Sequence, residues 1–394
     1  MLATGKIQLG VASIFTLGAI LWFGQGLLSR GQGPAMQGPP PATTLPWRSN
    51  KPFKEAGYVG GEACAECHVR EFKSYHDAAM ARALQTAADS LILKSHARLT
   101  FRVGPYSYEI IRDGDRSIYS VSDGKRSIAV PILYSFGQGK AGQTYVLEYK
   151  GAFYESRVSY YRALDGLDFT IGYPRTVPSS LEEALGRAIS LDETLSCFGC
   201  HATASSFGKR LQLEQMIPGV SCEACHGPGR DHIAAMEAGR EETRIFNPGK
   251  MSPDELSQEF CGSCHRSVEQ VLNMPQQGGI NNVRFQPYRL FTSRGHDPTD
   301  PRLSCVACHN PHEHLREDVA YYDAKCLACH QTKVELGPAA RKVALAKDRT
   351  AKACPISDRN CVTCHMPKVD LPGAHLKFTD HRIRIARPGE PYPN

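Results

Sequence analysis

Apolar residues are in short supply in this 394-residue sequence, at 41%, which excludes a polytopic membrane protein. Charge of one sign is missing too. The formal net charge is +6, and no basic run is interleaved with aromatics, so nucleic acid is not an expected partner. No nucleophile elbow, phosphate loop or paired-carboxylate site rises above background. Aromatics make up only 8%, while 35 Gly and 26 Pro interrupt the chain, so a core built mainly from regular helices and sheets is not expected. The 22% of charged residues beside that apolar content still excludes a mostly disordered chain.

Cysteine is present in excess. There are 15, an odd number, which no purely paired disulfide framework can use. Fourteen fall into C-x-x-C-H, repeated seven times: Cys64-Cys67-His68, Cys197-Cys200-His201, Cys222-Cys225-His226, Cys261-Cys264-His265, Cys305-Cys308-His309, Cys326-Cys329-His330 and Cys361-Cys364-His365. Composition alone would give about 0.02 such copies. The spacing suits two thioether bonds to the vinyl groups of one haem, with the adjacent His beneath the iron as proximal ligand. Structural zinc would want paired C-x-x-C units and no His after each second Cys. The expected cofactors are therefore seven covalently bound haem c groups. Each porphyrin is an apolar plate, and a stack of them replaces the missing core. Seven ferric haems with ionised propionates bring the formal charge to about −1. Cys354, beside Pro355, has no C-x-x-C partner and reads as a free thiol.

Covalent attachment at C-x-x-C-H takes place outside the bacterial cytoplasmic membrane, so a periplasmic or other extracytoplasmic location is expected. Lys6 precedes an apolar stretch over residues 7–28, 22 residues long and enough to span a bilayer. Residues 1–30 read as a signal anchor or a cleaved signal peptide; no good A-x-A site is present, which favours the anchor. No Cys follows the stretch, which argues against a lipoprotein. Residues 31–55, rich in Pro and Gly, read as a tether.

The motifs are unevenly spread: residues 56–96 form a first haem segment, and 176–394 carry the other six motifs. Between them, 97–175 reads as a small antiparallel β insertion. LTFRV, SYEIIR, RSIYSV, SIAVPILY, QTYVLEYK and AFYESRVSYY alternate or run β-branched and aromatic. Asp113-Gly114, Asp123-Gly124 and Lys150-Gly151 supply hairpin turns. The stretch from Cys64 to about Ala88 reads as helix, as does Leu181 to Ile189 with Ser179 or Ser180 as N-cap. The expected fold is thus a mainly α/irregular multihaem cytochrome with the haem stack as core, plus that β insertion. Gly137-Gln138-Gly139-Lys140-Ala141-Gly142 matches G-x-G-x-x-G, but a strand follows it rather than a helix, so no nucleotide is expected.

Eight His lie outside the motifs, one more than seven bis-histidine haems need. Axial nitrogens of one iron stand about 4 Å apart on opposite sides. His76, eight residues after His68, sits about 12 Å further along a helix. It therefore serves a different haem, as do His232 and His312, which follow their own motifs too closely. His76, His232, His312 and His381 rank first as distal ligands, His375 and His296 next, and His96 and His314 last. Met80 and Met366 are minor alternatives.

The segments GYVGGEACAECHVREFKSYHDAAMARAL, CEACHGPGRDH, CVACHNPH and CVTCHMPK…HLKFTDHRI resemble those of multihaem c-type cytochromes. The class is related to the tetrahaem cytochrome c of ammonia oxidisers, hydroxylamine oxidoreductase and pentahaem nitrite reductase. The resemblance implies His76, His232, His312 and His381 as distal ligands, and closely packed haem pairs. No C-x-x-C-K motif occurs, and no Tyr is singled out for a haem cross-link. The activities of those enzymes are not implied. The expected function is transfer of single electrons along a haem chain in an extracytoplasmic respiratory pathway. Expected partners are redox proteins, a quinol-oxidising complex or other cytochromes, with membrane contact through residues 7–28. The alternative is a reductase or oxidase of a small nitrogen or sulfur species at one five-coordinate haem, with Arg382, Arg384, Tyr160 or Tyr161 lining its pocket.

Overall fold

The computed structural model describes residues 47–274, 278–297, 302–330, 354–387 and 389–393. The N-terminal stretch expected to be a signal or anchor, and most of the tether, lie outside the described residues. Among the described residues, no helix is long and apolar enough to cross a membrane.

Ten strands build the region between the first two motifs. They are β1 (Leu84–Thr86), β2 (Arg98–Val103), β3 (Tyr106–Asp113), β4 (Arg116–Ser122), β5 (Ser127–Phe136), β6 (Thr144–Tyr149), β7 (Ala152–Ser156), β8 (Val158–Tyr161), β9 (Gly166–Phe169) and β10 (Gly186–Ala188). Eight form one antiparallel sheet in the order β10-β7-β6-β5-β4-β3-β2, with β1 pairing β5. The remaining two make a separate hairpin, β8-β9. Alternation dictates the buried face: Tyr106, Tyr108 and Ile110 of β3 point inward beside Ser117, Tyr119 and Val121 of β4. Leu147, Val158, Leu181 and Leu185 complete one apolar cluster. Lys150 and Gly151 join β6 to β7 with φ of 52° and 74°, the two left-handed residues that a tight hairpin turn of this twist requires.

The sheet is wider than the pattern 97–175 implies. Leu84–Thr86 lies within the stretch expected to be helical, but three residues carry no readable period, and pairing with β5 decides their conformation. The expected first helix is in fact two, Gly61–Ala65 and Val69–Tyr75, broken at His68 with φ −98° and ψ 48°. Ser180 does cap the helix Leu181–Leu185, which stops at Gly186 so that β10 can pair with β7. The G-x-G-x-x-G segment turns between β5 and β6 with no helix after it, and Gly139 rests against Ile92 and Tyr160.

A second small cluster, Leu84, Phe198, Ala202 and Met216, fastens the sheet to the second motif, with Tyr134 and Phe136 edge-on to Phe198. Beyond it, the chain runs as short helices around the motifs, among them Leu191–His201, Cys222–His226, Cys305–Cys308, Val319–His330 and Cys361–His365.

Candidate functional site

Each motif sits on a short helix or at its end, so the local turn brings both thiols and the following imidazole to one side. Buried carboxylates then tie one motif to the next segment. Glu223, inside the third motif, accepts from Val59 N and Gly60 N at 2.9 and 2.8 Å and from Gly229 N at 2.8 Å. This docks the first segment onto the third motif. Asp323 accepts from Asn360 N and Cys361 N at 2.7 and 2.8 Å, docking the sixth motif onto the seventh. Burial pushes the Asp323 carboxyl up, but those two amides outweigh it and hold the carboxyl below the ordinary range. Sequence reasoning missed both residues, because a lone acid carries no mark of its partner. Tyr75 Oη donates to Val220 O at 2.6 Å and adds a third tie. Thiols of different motifs also stand side by side as free cysteines: Cys64 beside Cys222, Cys200 beside Cys264, and Cys261 beside Cys305.

The link from second to third motif depends on one glycine. Thr203 Oγ1 donates to Gly219 O at 2.9 Å and accepts from Ser221 N at 2.8 Å. Gly219 has φ 77°, and a Cβ there would stand 1.8 Å from Ala81 O. Gly219→Ala should cost about 2–4 kcal/mol from backbone strain and the displaced 81–82 segment. Denaturant unfolding of the holoprotein checks this; an unchanged midpoint would show that the close approach is not maintained.

Three imidazole pairs face one another. His68 and His232 have ring centroids 6.3 Å apart and planes at 24°. His226 and His312 are 6.0 Å apart at 9°, and His309 and His381 are 6.2 Å apart at 41°. Two imidazoles on opposite sides of one iron, with metal–nitrogen bonds near 2 Å, need about 6.3 Å between centroids. The residues present therefore fit a bis-histidine iron at all three places.

The ring nitrogens agree. Nδ1 of His201, His226, His232, His365 and His381 lies 3.1, 3.0, 2.5, 2.9 and 3.0 Å from the carbonyl oxygens of Ala83, Phe246, Thr243, Arg384 and Thr379. A carbonyl only accepts, so Nδ1 carries the proton and Nε2 keeps its lone pair for a metal. Burial lowers the pKa of His201, His226 and His309, and takes His381 down to about 4. They stay neutral, the form a metal requires.

The other His expected to be ligands lie elsewhere. His76 is more than half exposed beside Asp77, with its ring 5.7 Å from Phe72. His296 packs on Phe291, 5.0 Å between centroids. The Nε2 of His375 is 2.7 Å from Asp168 Oδ2, and its ring stands 4.7 Å from Tyr161 on the β region. Both nitrogens of His96 are engaged, by Ile92 O and by Asp165. Of the remaining motif His, His265 stands close enough to His201, His309 and His381 to lower their pKa, and His330 ends the helix Val319–His330.

A sequence model of the family described as Cytochrome c554 and c-prime matches residues 176–227. That span holds the second and third motifs. Cytochrome c-554 of Nitrosomonas europaea is 35% identical over 108 residues, 24% of this chain. These matches support a multihaem c-type cytochrome. The chain spans 42% of the length of that relative. The crystal structure of the outer cell wall cytochrome OcwA aligns at a TM-score of 0.31 and 19% identity, over 53% of this chain and 37% of the other.

Proposed function

We propose that this chain is a heptahaem c-type cytochrome that passes single electrons along its haems, outside the cytoplasmic membrane, between redox proteins such as a quinol-oxidising complex and other cytochromes. The observation that carries the reading is the pattern of the facing pairs. His68 of the first motif faces a residue that follows the third, His226 of the third faces one that follows the fifth, and His309 of the fifth faces one that follows the seventh. A chain that merely bound separate haems would have no reason to cross-link alternate motifs in this way. Cross-ligation fixes neighbouring irons at short, constant separations, which is what electron hopping needs.

Bound at these sites, haem supplies an iron that gains and loses one electron. The protein's residues do the rest. The fourteen motif thiols would anchor the rings, His68, His226 and His309 with the imidazoles facing them would hold three of the irons between two neutral nitrogens, and main-chain carbonyls would set ligand basicity. The haem faces, not aliphatic side chains, form the core around the later motifs.

The test uses protein matured in a host that assembles c-type cytochromes. Intact mass should give seven haems per chain. Low-temperature electron paramagnetic resonance of the oxidised protein should show low-spin iron only, with optical spectra accounting for any magnetically silent pair. A high-spin signal that shifts with nitrite, hydroxylamine or cyanide would overturn the carrier reading in favour of a reductase or oxidase with an open haem.

A further inference from the structure

A buried ionic cluster lies directly before His381. Asp380 and Arg289 are both fully buried, and Arg289 Nε and Nη2 donate to the two carboxylate oxygens at 2.8 and 3.0 Å. Arg384 Nη1 adds a third bond at 3.2 Å. Arg289 also donates to Pro393 O at 2.9 Å and lies over the Tyr392 ring, 4.6 Å from its centroid. Burying two guanidiniums around one carboxylate is costly, and apolar side chains of similar volume usually serve stability as well or better. The neighbours show what else the cluster does.

Asp380 Oδ1 accepts from Arg382 N at 3.1 Å, which folds the chain tightly past His381. Ser293 Oγ donates to His381 O at 3.3 Å and accepts from Ile383 N at 2.8 Å, so the same turn is pinned from its other side. Two residues on, the main chain of Arg384 brackets a different motif: its carbonyl accepts from His365 Nδ1 at 2.9 Å, and its N–H donates to His365 O at 3.1 Å. One five-residue turn, 380–384, thus holds the imidazole that faces His309 and orients the imidazole of the seventh motif.

We propose that Asp380 is a positioning residue for two axial imidazoles, holding His381 opposite His309 and holding the Arg384 carbonyl against His365. The inference rests on the reading of His381 as an axial ligand. The carboxylate touches neither iron. Clamped by Arg289 and Arg384, it fixes the turn that presents both rings, and its negative charge offsets two cations beside them. Fifth and seventh haems are thereby tuned together.

The experiment is a potentiometric titration of the holoprotein, with low-temperature electron paramagnetic resonance, on Asp380→Asn, Arg289→Lys and His381→Ala. In Asp380→Asn, two of the seven potentials should move upward together, because the negative charge is gone and both rings are less firmly held, while the other five stay put. Arg289→Lys keeps the charge but loses the two-pronged grip, so the same two potentials should move by less; it decides the matter should Asp380→Asn fail to assemble. His381→Ala should turn one low-spin iron high-spin. If His381→Ala leaves every iron low-spin, the axial-ligand reading itself falls. If it converts one iron, yet Asp380→Asn and Arg289→Lys keep all potentials and lose only thermal stability, the cluster is structural and the positioning role is overturned.

Discussion

His312→Met should raise one reduction potential by on the order of 0.1 V, without changing the number of haems bound. His312 faces His226 with the planes nearly parallel, at 9°. Its loop is held from two directions: Ser74 Oγ donates to its carbonyl at 2.8 Å, and Asn310 Oδ1 accepts from its N–H at 3.0 Å. The backbone is therefore in place whatever the side chain, and a flexible methionine can reach the same metal position. A thioether in place of an imidazole favours ferrous iron, so the shift is upward. Spectroelectrochemistry of the intact protein should show one component leaving the envelope of the others. His312→Ala, which offers no ligand, should instead give one high-spin iron. If neither variant alters any haem, His312 is not a ligand, and the link between third and fifth motifs is lost from the proposal.

The second large effect lies in the β region. Arg157 is 1% exposed, and its guanidinium donates to the carbonyls of Thr176, Pro174 and Glu183 at 2.9, 3.2 and 3.4 Å. It also lies 5.6 and 5.5 Å from the ring centroids of Phe169 and Tyr173. This one side chain seals the loop between β9 and the helix Leu181–Leu185 against the sheet. Arg157→Met removes a buried guanidinium and takes the donor away from three carbonyls at the edge of the loop, and should cost about 2–4 kcal/mol. Denaturant unfolding followed by far-ultraviolet circular dichroism should show the β signal lost at lower denaturant, with the haem absorption bands changing later. A single transition at the parent midpoint would mean that the loop carbonyls find other donors.

Sequence pattern made some of this legible and left some hidden, for physical reasons. Period-two alternation in SYEIIR and RSIYSV exposes β3 and β4, because one face of each is buried and the other is not. The C-x-x-C-H spacing is equally plain, because it recurs seven times with the same interval and the same following His. Leu84–Thr86 and Gly186–Ala188 were not readable as strands: each is three residues long and takes its form from a distant partner. His232, His312 and His381 could be shortlisted by counting and reach, yet nothing local says which motif each one faces. His375 could be shortlisted in the same way, and the reason it rests on Asp168 lies 207 residues away along the chain. Asp380 was invisible for the same cause: its partner Arg289 is 91 residues earlier, and no period joins them.

The acceptors that fix the imidazole rings are carbonyls of the main chain, as at Ala83, Thr243, Phe246 and Thr379. A carbonyl is present whatever amino acid a codon supplies. Mutation at these four positions changes a side chain and leaves the acceptor where it was, so long as the backbone keeps its path. The basicity of the ring nitrogens is in that sense buffered against genetic drift. Such a protein can diverge widely in sequence while its redox behaviour remains under the control of its backbone route, and selection would then be felt most at the residues, such as Gly219, that keep that route open.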